Sequence, residues 1–362
     1  MIRRKDIKNK VSGYRKWLLD PVNRLFLYLF RIVTLAAVAL LVYAAYVLIY
    51  PNINSTKENK YLLVYENYTV DSIVNVLESQ HMIGNRAAFK TAADVLGYYD
   101  KGVKQGRYKL KPGMSNFFLI KTLKSGTQTP SKVTLNSIRT LEDLSGRLSN
   151  YFKTDSVAFY KLLTDDAYLN TIGFTRENVM TVFLPNTYEM YWDTKPEKII
   201  EKFMQERNKF WNNERKHKAD SLQLSIEQVY TLASIVDKET NKADERPTIA
   251  GVYLNRLHQN MPLQADPTVV FANHDFTITR VMEKHTSIVS PYNTYTNVGL
   301  PPGPICMPDV SSIDAVLNAV NHSYMFFCAK PDLTGYHVFA ITYEAHLQNA
   351  RNYQEFLNKH GY

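Results

Sequence analysis

The feature that most constrains this chain is an uncharged, apolar run at residues 32–50. Its nineteen residues are enough to cross the hydrocarbon core of a membrane as a helix. Pro51 follows directly and predicts the end of that helix. Tyr28, Tyr43, Tyr46 and Tyr50 supply aromatic rings of the kind found at membrane–water interfaces. The sequence therefore predicts a single N-terminal transmembrane helix, retained as a signal anchor.

Positive charge is concentrated before this run. Residues 1–31 hold nine Lys or Arg against two Asp, which gives +7 of the whole chain's +9. Such a tail is expected to stay in the cytoplasm, so that everything after Pro51 lies outside. A cleaved signal peptide is the alternative, but its charged region would be unusually long and its apolar run longer than typical. The remaining +2 creates no strong field toward phosphate, so we expect no nucleic-acid binding.

The chain carries few signals of metal or disulfide chemistry. Only two cysteines, Cys306 and Cys328, are present, and they form no Cys-x-x-Cys motif. A disulfide between them is possible outside the cytoplasm, so their pairing stays open. The nine histidines are scattered, without a His-Glu-x-x-His motif, a nucleophile elbow or a phosphate loop nearby. We therefore expect no metal site and no cofactor.

A small unit is predicted directly after the membrane. Residues 51–60 are polar and lack periodicity, which is typical of a linker. In residues 61–127, a strand candidate at 61–65 precedes a helix from Thr69 and a second helix near 86–96. A further strand and a further helix complete the unit, at Gly106–Leu110 and at residues 114–123. The predicted order is strand–helix–helix–strand, in an α+β arrangement.

Residues 128–362 read as a larger α+β domain. A strand is expected at 133–135, and Thr140 is expected to cap the following helix. The segment 183–188 predicts a chain reversal, with Tyr188 packed inside. A long amphipathic stretch follows at residues 196–218, which favours one continuous helix with a solvated face.

The next helix ends in two acids. It is expected to begin near Ser225, where Gln228 completes a capping-box pattern, and its apolar stripe leads to Asp237 and Glu239. A carboxyl group on an apolar surface is costly to ionise, so it can stay protonated and act as a general acid. Helical spacing does not choose between the two, although Glu has the longer reach. An ordinary solvated helix end is the alternative.

Polar residues follow in two places. Gln264, Asp266 and Thr268 stand in a loop with prolines, and Asn293 and Tyr295 precede a second proline-rich loop at residues 300–304. Prolines fix loop geometry at low entropic cost, which suits the recognition of sugar hydroxyl groups. We expect the second loop to face the acids, with Tyr295 as a platform for a sugar ring. Turn capping is the alternative for the first loop.

A helix between the acids and the first loop is expected at residues 248–257. The segment from Glu245 to Pro247 is interpreted as the start of that helix rather than as a site. Arg256 on this helix is expected to pair with a carboxylate.

Four blocks at residues 232–240, 262–268, 293–304 and 335–339 resemble, in the same order, the YceG-like (MltG) family of endolytic murein transglycosylases. The resemblance implies a LysM-like subdomain at 61–127 and a catalytic domain at 128–362. It also implies Glu239 as the catalytic acid, since the family carries an acid at both helix positions and the second is the catalytic one. Asp237 would then be supporting.

The same resemblance implies an activity. Such an enzyme, anchored in the bacterial inner membrane with its catalytic domain outside, cuts the MurNAc–GlcNAc bond within nascent peptidoglycan strands. It leaves a 1,6-anhydroMurNAc end and is expected to terminate strand elongation. It needs no cofactor, and peptidoglycan synthases of the penicillin-binding class would be its partners.

Two positions depart from the family pattern. Asn136-Ser137 replaces the family's Glu-Gly pair, and Asn186 replaces an acid. Three alternatives therefore stay open. The chain could be a non-catalytic, membrane-anchored glycan-binding scaffold, or a muramidase that uses water at the same site. The LysM-like unit could be a spacer rather than a glycan-binding module.

Overall fold

The computed structural model describes Trp17 and residues 20–54, 60–100 and 102–360. The chain folds into two compact units, Met1–Thr129 and Pro130–Tyr362. Most of the expected basic tail lies outside the described residues, as do residues 55–59 of the expected linker.

Helix α1, Pro21–Ile49, is long and apolar enough to cross a membrane. It begins well before residue 32, because the Asp20 carboxylate accepts a hydrogen bond from the N–H of Val22 at 2.9 Å and Pro21 suits the first turn. Of its 29 residues, only Val47 is buried. A helix of this kind near the N-terminus fits a membrane anchor or a signal sequence.

The rest of the first unit has the predicted strand–helix–helix–strand order. It contains β1 Lys60–Val64, α2 Val70–Ser79, α3 Arg86–Val95, β2 Gly106–Leu110 and α4 Asn116–Ser125. Strands β1 and β2 pair antiparallel, with Lys60 opposite Leu110. Thr69 and Asn85 cap the two helices between the strands, and Gly126 ends α4 in a left-handed conformation.

The start of the expected linker differs from the prediction. Asn52 is buried, donates a hydrogen bond to Oδ1 of Asn116 at 2.7 Å and accepts one from the N–H of Asn85 at 2.6 Å. Ile53 lies in the apolar core of the unit. Residues 51–54 are therefore part of the folded unit. The short polar segment lacked the periodicity that would have indicated this.

The second unit combines short antiparallel strands with many helices. The strands are β3 Ser131–Leu135, β4 Asn186–Met190, β5 Phe326–Ala329 and β6 His337–Ala340. The helices are α5 Leu141–Ser149, α6 Ser156–Leu163, α7 Asp166–Thr171, α8 Pro196–Phe210, α9 Asn213–Ser221, α10 Ile226–Glu239, α11 Arg246–His258, α12 Asp266–Ala272, α13 Glu283–Thr286, α14 Val310–Leu317 and α15 Tyr343–His360. A 3-10 turn lies at Val179–Val182. This mixture confirms an α+β class.

Two predictions for this unit need correction. The segment expected to reverse the chain enters strand β4, which pairs with β3 so that Leu135 faces Asn186. Tyr188 is buried as expected. The long helix expected at 196–218 is two helices, because the chain breaks at Trp211 and the Asn212 side chain caps α9. Nor is α8 merely a solvated face, since it buries Ile199, Ile200 and Phe203.

Helix α10 lies at the centre of the second unit. Ser225 and Gln228 form the predicted capping box at its start. Its side chains from Val229 to Val236 are buried, and it packs against α11, α12 and α14. The core therefore fixes α10 along its length and leaves its C-terminal end at a cavity.

The two cysteines are free, Cys306 buried and Cys328 half-buried.

Candidate active site

A cavity of about 260 Å³ lies at the C-terminal end of α10, and Glu239 forms part of its wall. Most of the other lining side chains are apolar, and a few are polar or charged. The lining consists of Glu239, Arg139, Lys238, Asp266, Pro267, Val270, Phe271, Phe276, Ile278, Thr279, Val281 and Ile305. A largely apolar wall around a carboxyl group is the environment in which that group retains its proton.

The surroundings of Glu239 set its proton affinity. Desolvation by burial raises the pKa of Glu239 from its ordinary value of 4.5 to about 7, and the negative charge of Asp266 acts in the same direction. A hydrogen bond from the phenol of Tyr253 to Oε1, at 2.5 Å, and the positive charge of Arg256 lower this pKa. A carboxyl group with a pKa near 7 can both donate and accept a proton at neutral pH.

Asp237 faces away from this cavity. Its Oδ1 accepts hydrogen bonds from Oγ of Ser312 at 2.7 Å and from the N–H of Asp309 at 3.2 Å, at the start of α14. Arg246 and Lys238 lie within ion-pair distance of the same carboxylate. Asp237 therefore attaches the start of α14 to α10 and α11, whereas Glu239 lies in the wall of the cavity.

Asp266 lies in the cavity wall, and Tyr295, which is not among the lining residues, is hydrogen-bonded to it. Asp266 is the first residue of α12 rather than part of a loop, and its Oδ1 accepts a hydrogen bond from the phenol of Tyr295 at 2.5 Å. Burial and the hydrogen bond to Asp266 raise the pKa of Tyr295 well above its ordinary value. Tyr295 therefore keeps its proton and fixes the orientation of the Asp266 carboxylate.

Gln264 lies beside Arg256 rather than in the cavity wall. Its Oε1 accepts a hydrogen bond from Nη1 of Arg256 at 3.4 Å, and its backbone φ is 50°. Arg256 donates its strongest hydrogen bonds to the carbonyl oxygens of Met325, at 2.7 Å, and Leu263, at 2.8 Å. The expected ion pair of Arg256 is not seen within the described residues. The guanidinium instead holds the loop that precedes α12.

Thr268 and Asn293 are buried beneath the site. The hydroxyl of Thr268 contacts that of Thr294 at 2.8 Å, and the amide of Asn293 donates to the carbonyl oxygens of Thr286 and Ile288, each at 2.8 Å. Neither side chain reaches the cavity wall. Their placement favours a role in positioning Tyr295 and α12 over direct contact with a ligand.

The proline-rich loop at 300–304 does not face Glu239 as expected. Leu300, Pro301 and Pro302 line a different cavity, together with His258. Pro304 lines a third cavity, and Ile305, which follows the loop, lines the cavity of Glu239. Gly303 packs so closely on the chain that a Cβ atom there would lie 1.8 Å from the carbonyl oxygen of Glu177. That close approach requires a glycine at position 303.

The last sequence block, at residues 335–339, also has a structural partner. Glu245 is buried and accepts hydrogen bonds from the N–H of His337 at 2.7 Å and from its Nδ1 at 3.0 Å. The phenol of Tyr336 donates to Asp244 at 3.1 Å. These bonds attach β6 to the start of α11, which confirms that Glu245 stands at a helix start.

Two residues of the site were not predicted from the sequence. Tyr253 lies on α11, fourteen positions after Glu239, and meets it only because the two helices pack together. Arg139 follows β3 and reaches the cavity from a distant part of the chain. Ser137, two residues before Arg139, has a φ of 51°, where the family's glycine would be unstrained. The described residues contain no group of three His, Cys, Asp or Glu placed to hold a metal ion.

Comparison with known proteins identifies the family of the chain. Residues 62–352 match the YceG-like family. A Bacillus subtilis protein named endolytic murein transglycosylase is 30% identical over 301 residues, which cover 79% of this chain and 82% of that protein. Proteins of the same name from two Streptococcus pneumoniae strains are 28% identical over 320 residues, and this chain covers 56% of their length. A crystal structure of a YceG-like protein from Listeria monocytogenes has a TM-score of 0.54 and 27% identity, covering 81% of this chain and 99% of the other. The chain belongs to the YceG-like family.

Proposed function

We propose that this chain is an endolytic murein transglycosylase, which cleaves peptidoglycan glycan strands between MurNAc and GlcNAc. The observation that carries the proposal is Glu239 itself, a single acid with a pKa of about 7 in a largely apolar cavity. The family match and the relatives named endolytic murein transglycosylase support the same reaction.

The reaction needs one carboxyl group that works in both directions. Protonated Glu239 gives its proton to the glycosidic oxygen as the C1–O bond breaks, and GlcNAc leaves with a free hydroxyl group. The ionised carboxylate then takes the proton of the C6 hydroxyl group of MurNAc, whose oxygen attacks C1 of the same sugar. A 1,6-anhydro ring forms, water is not consumed, and Glu239 ends protonated as it began.

The neighbours of Glu239 support both steps. Desolvation favours the protonated form before the bond breaks, whereas the Tyr253 phenol and the Arg256 charge stabilise the carboxylate that forms. Tyr295 keeps the Asp266 carboxylate turned toward its own hydroxyl group. Asp266 and Tyr295 are the side chains that we assign to contact with sugar hydroxyl groups.

The location follows from the N-terminal helix. Helix α1 anchors the chain in the plasma membrane, with the basic tail in the cytoplasm and the chain after Pro51 outside. The substrate is then the nascent strand near the membrane, where penicillin-binding synthases would be partners. The first unit acts as a LysM-like glycan-binding module, for which its strand–helix–helix–strand order is the support.

The test uses the full-length chain in detergent with purified peptidoglycan. Glu239→Gln keeps the shape of the side chain but cannot transfer the proton, so cleavage should fall by about 10²–10⁴-fold. Glu201→Gln, the same change at an exposed position of helix α8, is the matched control and should cleave normally. Activity of Glu239→Gln within a few-fold of the parent would reject the proposal. If the parent chain cleaves no peptidoglycan, the alternative of a non-catalytic glycan-binding scaffold is favoured.

A further inference from the structure

A second cavity, of about 430 Å³, adjoins the one that contains Glu239. The two cavities share two lining residues, Arg139 and Phe271. The second is the larger, and its far side is formed by residues of α5, α6 and the loop before the Val179–Val182 turn. A ligand bound at Glu239 can therefore extend past Arg139 into a neighbouring space of the same unit.

Arg139 is available to bind a ligand. Its guanidinium stands over the ring of Phe276 at 4.8 Å from the centroid. Within the part of the chain that the structure describes, it makes no hydrogen bond and no ion pair. The aromatic ring holds the cation in place without neutralising it. A planar guanidinium held in this way is suited to bind a carboxylate through two parallel hydrogen bonds.

The lining of the second cavity carries both signs of charge. Besides Arg139, the lining contains the cationic side chain of Arg176 and the acidic side chains of Glu142 and Glu177. Arg176 is already bound to Asp166 by hydrogen bonds of 2.7 Å and 2.9 Å. Arg139 is therefore the better candidate to bind an incoming anion. The two glutamates can bind a cationic group of the same ligand.

The substrate supplies a group that fits this description. The sugar whose C1 is attacked is MurNAc, and its O3 carries a lactyl arm with a peptide stem. That stem bears free carboxylates and, where it contains a diamino acid, a free ammonium group. Because the stem starts on the reacting sugar, it must leave the Glu239 cavity close to the acid. A neighbouring cavity with a free cation and two acids is the matching acceptor.

We propose that the second cavity binds the peptide stem of the MurNAc whose glycosidic bond is cut, with Arg139 binding a stem carboxylate. This assignment rests on the proposed function, because it uses Glu239 to place the sugar. It makes Arg139 a residue that selects peptide-bearing strands over strands stripped of their peptides. Aromatic rings of Phe271 and Tyr292, whose centroids are 4.8 Å apart, pack beneath the stem.

The experiment measures binding and cleavage with matched ligands. Full-length Glu239→Gln protein, with and without Arg139→Gln, is titrated with a disaccharide–peptide and with the same disaccharide lacking its peptide. Hydrogen bonds to charged groups are typically worth enough to change affinity about tenfold or more. We expect Arg139→Gln to reduce the preference for the peptide-bearing ligand by about tenfold. Arg147→Gln, on the exposed side of α5, removes a charge outside both cavities and is the control.

Cleavage supplies the second reading. In the otherwise native chain, Arg139→Gln should lower the ratio of kcat/KM for peptide-bearing strands to that for stripped strands. An unchanged ratio in both assays, or equal loss on both ligands, would overturn the proposal. A native chain that cleaves neither strand yet still shows the Arg139-dependent binding preference would reject the proposed function and leave the stem site standing.

Discussion

The phenol of Tyr253 donates a hydrogen bond to Oε1 of Glu239 across 2.5 Å, and Tyr253 is 1% exposed. This bond connects the end of α10 to the middle of α11. It stabilises the ionised carboxylate, whereas desolvation favours the protonated one. The pKa of about 7 is the balance of these opposing effects, so it can be moved in either direction.

Removal of the phenolic hydroxyl should raise that pKa. In Tyr253→Phe the carboxylate loses a hydrogen bond but stays in the same apolar surroundings. The alkaline limb of the pH profile for cleavage should then move up by about one pH unit. Tyr191→Phe, at an exposed tyrosine, is the control. A limb that stays in place or moves down would show that the bond does not act on the reacting acid.

Removal of a nearby charge should have the opposite effect. Asp266 raises the pKa of Glu239 by repulsion between two carboxylates. Asp266→Asn keeps an oxygen to accept the Tyr295 hydrogen bond but removes the charge. We expect the alkaline limb to shift toward lower pH, measured on the same substrate as for Tyr253→Phe. Shifts of the same sign in both variants would contradict this account of the electrostatics.

The raised pKa also has a consequence for stability. Glu239 binds its proton more tightly in the folded chain than in the unfolded chain, so its favourable contribution is complete below about pH 4.5 and is lost as pH rises through 7. The difference corresponds to about 3 kcal/mol. Glu239→Gln avoids this loss because it cannot ionise.

Thermal unfolding of the full-length chain measures this effect. The Tm of Glu239→Gln relative to the parent should increase between pH 5 and pH 8. Glu201→Gln, at an exposed position, should show no such trend. A Tm difference that is constant with pH would mean that Glu239 is solvated in the folded chain.

Asp237 should matter for stability rather than for chemistry. Asp237→Ala removes the acceptor for Ser312 and for the N–H of Asp309, so α14 loses its cap. We expect a loss of about 2 kcal/mol in the free energy of unfolding. Asp237→Asn keeps an oxygen acceptor and should lose less. In the folded fraction of either variant, the alkaline limb of the pH profile should lie where it does in the parent. A shifted limb would show that Asp237 influences the pKa of Glu239.

Local signals predicted much of the fold. The capping patterns at Thr140 and Ser225 are short-range signals, and the structure contains both of them. The break at Trp211 was missed because the Asn212 cap sits inside a charged stretch that looks continuous. Strand β4 was missed because it pairs with β3, some fifty residues earlier, and pairing partners leave no local trace.

The site shows the same limit. Glu239 was identified from its helix and from the resemblance, but helical spacing alone did not separate it from Asp237. What separates them is the partner each side chain meets, Tyr253 in one case and α14 in the other. Arg256 was expected to meet a carboxylate and instead meets carbonyl oxygens of a loop. Contacts between elements distant in sequence decide these roles.

In the proposed reaction, Glu239 cleaves glycan strands without water. The mass of the new MurNAc ends, after the full-length chain acts on peptidoglycan, tests this directly. We expect 1,6-anhydro ends, lighter by one water than reducing ends, formed by the parent and absent with Glu239→Gln. Reducing ends from the parent, with incorporation of labelled oxygen from the solvent, would contradict it and identify the reaction as hydrolysis.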